Sequence, residues 1–215
     1  MLEVLRLVLG MVETNTYLAA DASSGEAVVI DPAWEGESIA RAAVERGWHV
    51  RQIWLTHAHF DHLGGVVGLV KELTPAPQVA LHAADLPLWQ AKGGAALFGM
   101  HIDPGPKPAI LLEDGTALQI GAIKLEVRHA PGHTPGHVVF YAPDEALVFC
   151  GDLIFAGGIG RTDLPGGDYR TIIASIHNQI LSLPDETRLL SGHGEETTVG
   201  EERRYNPFLT TYAIR

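Results

Sequence analysis

Little in this chain would tie it to a membrane, to nucleic acid or to a disulfide framework. One of the 215 residues is cysteine, Cys150, so no disulfide can form within a chain. Apolar runs are short, and none approaches the roughly 18 residues of a spanning helix. The opening MLEVLRLVLG holds an acid at Glu3 and no small-residue cleavage site, so it is read as neither signal peptide nor anchor. Basic residues are scarce: 15 Lys and Arg stand against 26 Asp and Glu, a net charge of −11. That balance argues against wrapping nucleic acid or docking on an anionic membrane. Charged residues make up 19% and apolar ones 46%, a globular rather than a disordered composition. The length fits one domain over residues 1–215. A cytoplasmic protein is the default expectation.

Histidine, in contrast, is plentiful, with 11 residues. Where these fall depends on the elements around them. Val, Leu and Ile place strands at 2–9, 15–21 and 27–30, the last ended by Asp31-Pro32. A helix follows over 35–46, stopped by Gly47, and then a buried strand over 50–56. Beyond a histidine-rich loop come a helix over 63–73, a strand over 78–82 and a short helix over 84–90. Residues 92–108, rich in Gly and Pro, read as a long loop. The second half repeats the plan. Strands are expected at 110–112, 117–120, 123–128, 138–141 and 147–150. A glycine-rich stretch at 157–167 leads to a helix over 170–183, a strand over 187–190 and a short helix near 200–205. Two runs of strands with helices between them predict an α/β sandwich of two stacked sheets with helices outside.

Five histidines and two aspartates directly follow expected strands. His57, His59, Asp61 and His62 form the segment H-A-H-F-D-H, and His133, Asp152 and His193 each stand beside a glycine. Strands of one sheet end along a common edge, so these four loops can converge on one crevice. Imidazole nitrogen and carboxylate oxygen are ligands of zinc and of comparable divalent metals. Seven ligands divide into three for each of two metals, with one carboxylate, Asp152, shared. An H-x-H-x-D-H pattern arises by chance in a chain of this composition with a probability on the order of 10⁻³. Cys150, two residues before Asp152, is read as a buried apolar filler rather than a ligand.

At these positions the chain resembles the metallo-β-lactamase superfamily, and most closely its small glyoxalase II-like branch. The similar marks are A-P-G-H-T-P-G-H at 130–137, G-D-L-I-F at 151–155, G-R-T-D at 160–163, P-G-G-D at 165–168 and E-R-R-Y-N-P-F at 202–208. The resemblance implies a four-layer αββα sandwich (α/β, or α+β) and a two-metal site. His57, His59 and His133 would hold one metal; Asp61, His62 and His193 would hold the other; Asp152 would bridge. Zinc is expected first, with iron or manganese as alternatives. Only 22 residues follow His193, so the helical domain with which full-length glyoxalase II grips glutathione is expected to be missing.

The implied activity is hydrolysis of a thioester such as S-lactoylglutathione through a metal-bridging hydroxide. Metal binding lowers the pKa of water towards ~7. A thiolate leaving group, with a pKa near ~8.5, departs without a strong general acid. Asp61 and Asp152 are the catalytic candidates. Arg161, in the glycine-rich loop, is the candidate for gripping a substrate carboxylate, with pairing to Asp163 as the competing reading. His137 and Asp31 are candidates for hydrogen-bond support of the ligands. The alternative activity is that of a mononuclear iron persulfide dioxygenase acting on glutathione persulfide, with His57, His133 and Asp152 as a facial triad.

Overall fold

The computed structural model describes residues 1–210; the last five residues of the expected 1–215 domain lie outside the described residues. Strands β1 (Leu2–Leu9), β2 (Thr14–Asp21), β3 (Glu26–Ile30), β4 (His49–Trp54), β5 (Gln78–His82) and β6 (Ile110–Leu112) form one sheet in that order. Strands β7 (Ala117–Ile120), β8 (Ile123–His129), β9 (Val138–Ala142), β10 (Leu147–Gly151), β13 (Arg188–Ser191) and β14 (Thr197–Thr198) form the second. Between β10 and β13 the chain makes a small hairpin, β11 (Ile154–Phe155) and β12 (Gly158–Ile159).

Side chains alternate faces along a strand, and here that alternation separates three apolar layers. Tyr17, Val28, Ile30, Trp54, Val127, Phe140 and Phe149 fill the space between the sheets. Leu18, Val29 and Ile53 face the other way, onto helices α1 (Gly36–Glu45), α2 (Phe60–Leu63) and α3 (Val66–Glu72). Val139, Val148, Cys150 and Leu189 face outward from the second sheet. They pack under α5 (Tyr169–Ser175), α6 (Val199–Tyr205) and α7 (Pro207–Thr210); α4 (Leu86–Gln90) lies beside the first sheet. Helix, sheet, sheet, helix is the expected αββα sandwich. Cys150 is fully buried in the outer layer, where burial pushes its thiol far up from the ordinary value.

Several boundaries differ from the sequence reading. The helix expected over 63–73 begins at Phe60 and breaks at Gly64-Gly65, whose backbones press against Ala33 and Trp34 and leave no room for a side chain. Asp61 and His62 therefore sit on a helical turn rather than in a loop. Within the expected 92–108 loop, Lys92–Phe98 winds into tight turns through Gly93 and Gly94, both at positive φ. The helix expected over 170–183 is α-helical only to Ser175 and continues as a wide π turn over Ile176–Ile180. The short pairs β11–β12 and β14 carry too few residues for a periodicity to register.

Topology positions the site. β3 runs parallel to β4, and β10 to β13; β8, antiparallel to β9, shares the direction of β10. The C-terminal ends of β3, β4, β8, β10 and β13 thus deliver Asp31, His57, His133, Asp152 and His193 to one edge of the sandwich. The start of β2 lies at the same edge, where Thr14 bridges His193. A bulge between Phe149 and Gly151 displaces β10 just before Asp152.

Candidate metal centre

The structure brings all seven predicted side chains together. Ligand-type atoms of His57, His59 and His133 lie within 4.8 Å of one another, as do those of Asp61, His62 and His193. His59 Nδ1 approaches His133 Nε2 to 2.8 Å. His193 Nε2 stands 3.3 Å and His62 Nε2 3.6 Å from Asp61 Oδ2. Asp152 lies between the two sets: its Oδ1 is 3.3 Å from His62 Nε2, and its Oδ2 is 3.6 Å from both His133 Nε2 and His193 Nε2. Gly192 is required for this approach, because a Cβ there would overlap Asp152 Oδ1.

The far side of four of the five rings is tied down. His62 Nδ1 donates to Asp31 Oδ2 at 3.0 Å, His133 Nδ1 to the Arg161 carbonyl at 2.8 Å and His193 Nδ1 to the Val12 carbonyl at 3.1 Å. Thr56 Oγ1 donates to Asp31 Oδ2 at 2.6 Å, so it accepts from His57 Nδ1 at 3.0 Å. These bonds place a proton on Nδ1 and turn Nε2 into the centre on His57, His62, His133 and His193, where His59 Nδ1 meets His133 Nε2. His57 Nε2, His62 Nε2 and Asp152 Oδ1 are buried without a hydrogen-bond partner. A buried polar atom left unpaired is costly. A cation among these atoms would remove that cost, so the donor set fits divalent metal.

Charge follows the same plan. Burial, then the neighbouring imidazoles, hold His57 well below the ordinary histidine pKa, so it is neutral. Burial and His133 take His59 down to about 3. Burial opposes charge on His62 as well, but the carboxylates of Asp152, Asp61 and Asp31 outweigh it and raise its pKa well above the usual value. Burial alone would raise the Asp152 carboxyl; His62, His133 and His193 more than reverse this and keep it ionised.

Some supporting residues escaped the sequence reading. Asp85 is fully buried and accepts from Ala58 N (3.0 Å), Thr134 Oγ1 (2.8 Å) and Gly136 N (2.6 Å), bolting the His57–His59 loop to the His133 loop. Asn15 Nδ2 donates to the Ser191 and Gly194 carbonyls on either side of His193, and Thr14 Oγ1 donates to Asp61 Oδ2. No local pattern marks them, because their partners lie 27 to 179 residues away. His137 Nε2 accepts from Asp152 N at 3.1 Å. In the closing E-R-R-Y-N-P-F segment, Glu202 accepts from Gly157 N and Asn206 donates to the Gly158 carbonyl. Both therefore hold the β11–β12 hairpin.

A cavity of about 400 Å³ opens over the centre. Its walls are largely apolar, with Phe98, Met100, Phe155, Ile159 and Leu164 around the ligands, and Arg161 at its margin. The Arg161 guanidinium makes a two-point pair with Asp163, both bonds 2.7 Å, with its side chain 51% exposed.

The chain belongs to the metallo-beta-lactamase superfamily, whose profile matches residues 9–193. It is 40% identical to the probable metallo-hydrolase YqgX of Bacillus subtilis, over 97% of this chain and 98% of that protein. It is 37% identical to the hydroxyacylglutathione hydrolase GloC of Haemophilus influenzae, over 86% and 88%. With the mitochondrial persulfide dioxygenase ETHE1 of Bos taurus it shares 36% identity, over 92% of this chain and 72% of that protein. Among solved structures, the BLEG-1 B3 metallo-beta-lactamase superposes with a TM-score of 0.88 at 38% identity, covering 98% of this chain and all of that one. TTHA1623 in a di-iron-bound form superposes at 0.87 with 44% identity, covering 96% and all of that chain. Family and site together define an enzyme of the metallo-hydrolase type. The di-iron neighbour puts iron level with the zinc expected from the sequence. Among the described residues no helix is long and apolar enough to cross a membrane.

Proposed function

We propose that the chain is a binuclear metallohydrolase that cleaves a small thioester, with a glutathione conjugate such as S-lactoylglutathione as the first candidate. The observation that carries this reading is Asp152, which stands between the two sets, its Oδ1 facing His62 and its Oδ2 equally close to His133 and His193. One carboxylate so placed would serve two cations. His57, His59 and His133 would hold the first, and Asp61, His62 and His193 the second. When bound, two divalent cations supply an activated water at neutral pH and polarise an acyl carbonyl. The chain's own residues do the rest. The hydrogen bonds to Asp31, Thr56, Arg161 and Val12 orient the imidazoles before anything binds. Asp61, kept ionised by His62 and His193 against its burial, lines the cavity, where it would accept the proton that an attacking water loses. Among the described residues the cavity's lining offers no further acidic group, which suits departure of a thiolate better than of an amine. Arg161 stands where its guanidinium can exchange Asp163 for a substrate carboxylate; an exposed pair of this kind is worth only ~0–1 kcal/mol.

The test is to strip the protein with a chelator, reload it with zinc, iron(II) or manganese, and follow thiol release from S-lactoylglutathione under argon. Restored, oxygen-independent release supports the reading; no release with any metal contradicts it. The second reading, a mononuclear iron persulfide dioxygenase using His57, His133 and Asp152, is favoured by the similarity to ETHE1. One iron per chain with rapid oxygen uptake on glutathione persulfide would decide for it.

A further inference from the structure

Beside the cavity over the ligands lies a second hollow of about 290 Å³, and the two share His59, Phe98 and Leu164. Leu88 of α4, Leu97 and Phe98 of the following turns, and Leu164 and Pro165 line it; among the described residues no charged side chain does, and His59 is the only polar side chain there. The hollow is held tightly to the ligand loop. Gly93 packs its backbone so closely on Phe60 and Ala58 that a Cβ there would overlap both, and its φ of +65° suits glycine. At the mouth, Leu97 is 65% and Phe98 44% exposed. A volume just below the ~300–1,000 Å³ of a whole-ligand site suits one arm of a substrate whose reacting carbonyl sits in the adjoining cavity.

We propose that this hollow is an acyl subsite and that it takes an unbranched apolar acyl chain, with the thiol arm directed to the Arg161 side. The inference rests on the thioesterase reading and narrows it: the preferred acyl group is apolar and longer than lactoyl. Each methylene that enters should raise kcat/KM about fourfold, the equivalent of ~0.8 kcal/mol, until the hollow is full.

The experiment uses the metal-loaded enzyme and the S-acetyl, S-butanoyl, S-hexanoyl and S-octanoyl thioesters of N-acetylcysteamine. It adds calorimetric titration with acetate and octanoate, whose carboxylates are alike and whose chains differ. The expected result is a kcat/KM that climbs with chain length, and octanoate binding tighter than acetate with a negative heat-capacity change. Ala91→Phe and Ala96→Phe, at exposed positions lining the hollow, should collapse the octanoyl-to-acetyl ratio towards one and remove the octanoate advantage. Hydrolysis independent of chain length, with octanoate no tighter than acetate, overturns the subsite and leaves the thioesterase reading standing. Octanoate binding that Ala96→Phe removes, without hydrolysis of any thioester, keeps the subsite and overturns the thioesterase reading. A dimer that Leu97→Ser converts to monomer, with no octanoate binding, makes the hollow a self-contact and overturns the proposal.

Discussion

Asp152 and Asp85 are both buried carboxylates at the same edge of the sandwich, and their surroundings give them opposite roles. Asp152 is ringed by imidazoles and keeps an unpaired oxygen. In the proposed centre it serves both cations, so Asp152→Ala should lose both metals and activity together, as read by elemental analysis beside turnover. A variant that retained two metals and full thioester turnover would contradict the bridge. Asp85 has each oxygen occupied by the chain's own donors, which makes it a bolt rather than a ligand. Asp85→Ala strands two backbone N–H groups and a hydroxyl. The expected cost is about 3 kcal/mol, or roughly 6–12 °C in melting temperature. Thermal denaturation checks it, and an unchanged midpoint would show that water replaces the carboxylate at no cost.

At the scale of elements, the two sheets are tied together at the end of β2. Asp21 accepts from Ala122 N in the β7–β8 turn and from Ser23 N and Oγ in its own turn. Those bonds, the one from Ala122 first, lower its pKa from 3.8 to about 2. The sign follows: an acid with a depressed folded-state pKa contributes stability above pH 4, and the contribution fades as pH falls towards 2. Asp21→Asn should therefore melt a few degrees below wild type at pH 7, and the gap should close as pH is lowered from 4 to 2. A gap independent of pH would assign the difference to shape rather than charge. The main strands, and the stacking of two sheets with helices outside, were legible in the sequence, because each strand is a local run of Val, Leu and Ile and the order of strands and helices repeats. The H-A-H-F-D-H segment was legible for the same reason. Asp85, Thr14 and Asn15 were not, since nothing near them in sequence marks a partner. The break at Gly64-Gly65 went unread because it depends on how closely Ala33 and Trp34 approach.

For the whole molecule, a net charge of −11 would repel an anionic substrate, so attraction has to be local. The proposed cations and Arg161 supply it at one edge, while the rest of the surface stays acidic. The αββα frame makes this possible by ending five strands at that edge, and the hairpin held by Glu202 and Asn206 closes one wall of the cavity. The account's central claim is that two cations act together on a thioester. The most direct test is to titrate metal into the stripped protein under argon while following thiol release from a thioester. The account predicts turnover that rises to a plateau at two metal ions per chain. A plateau of metal binding at one ion, with no thiol released and with oxygen consumed once air and glutathione persulfide are admitted, would contradict it.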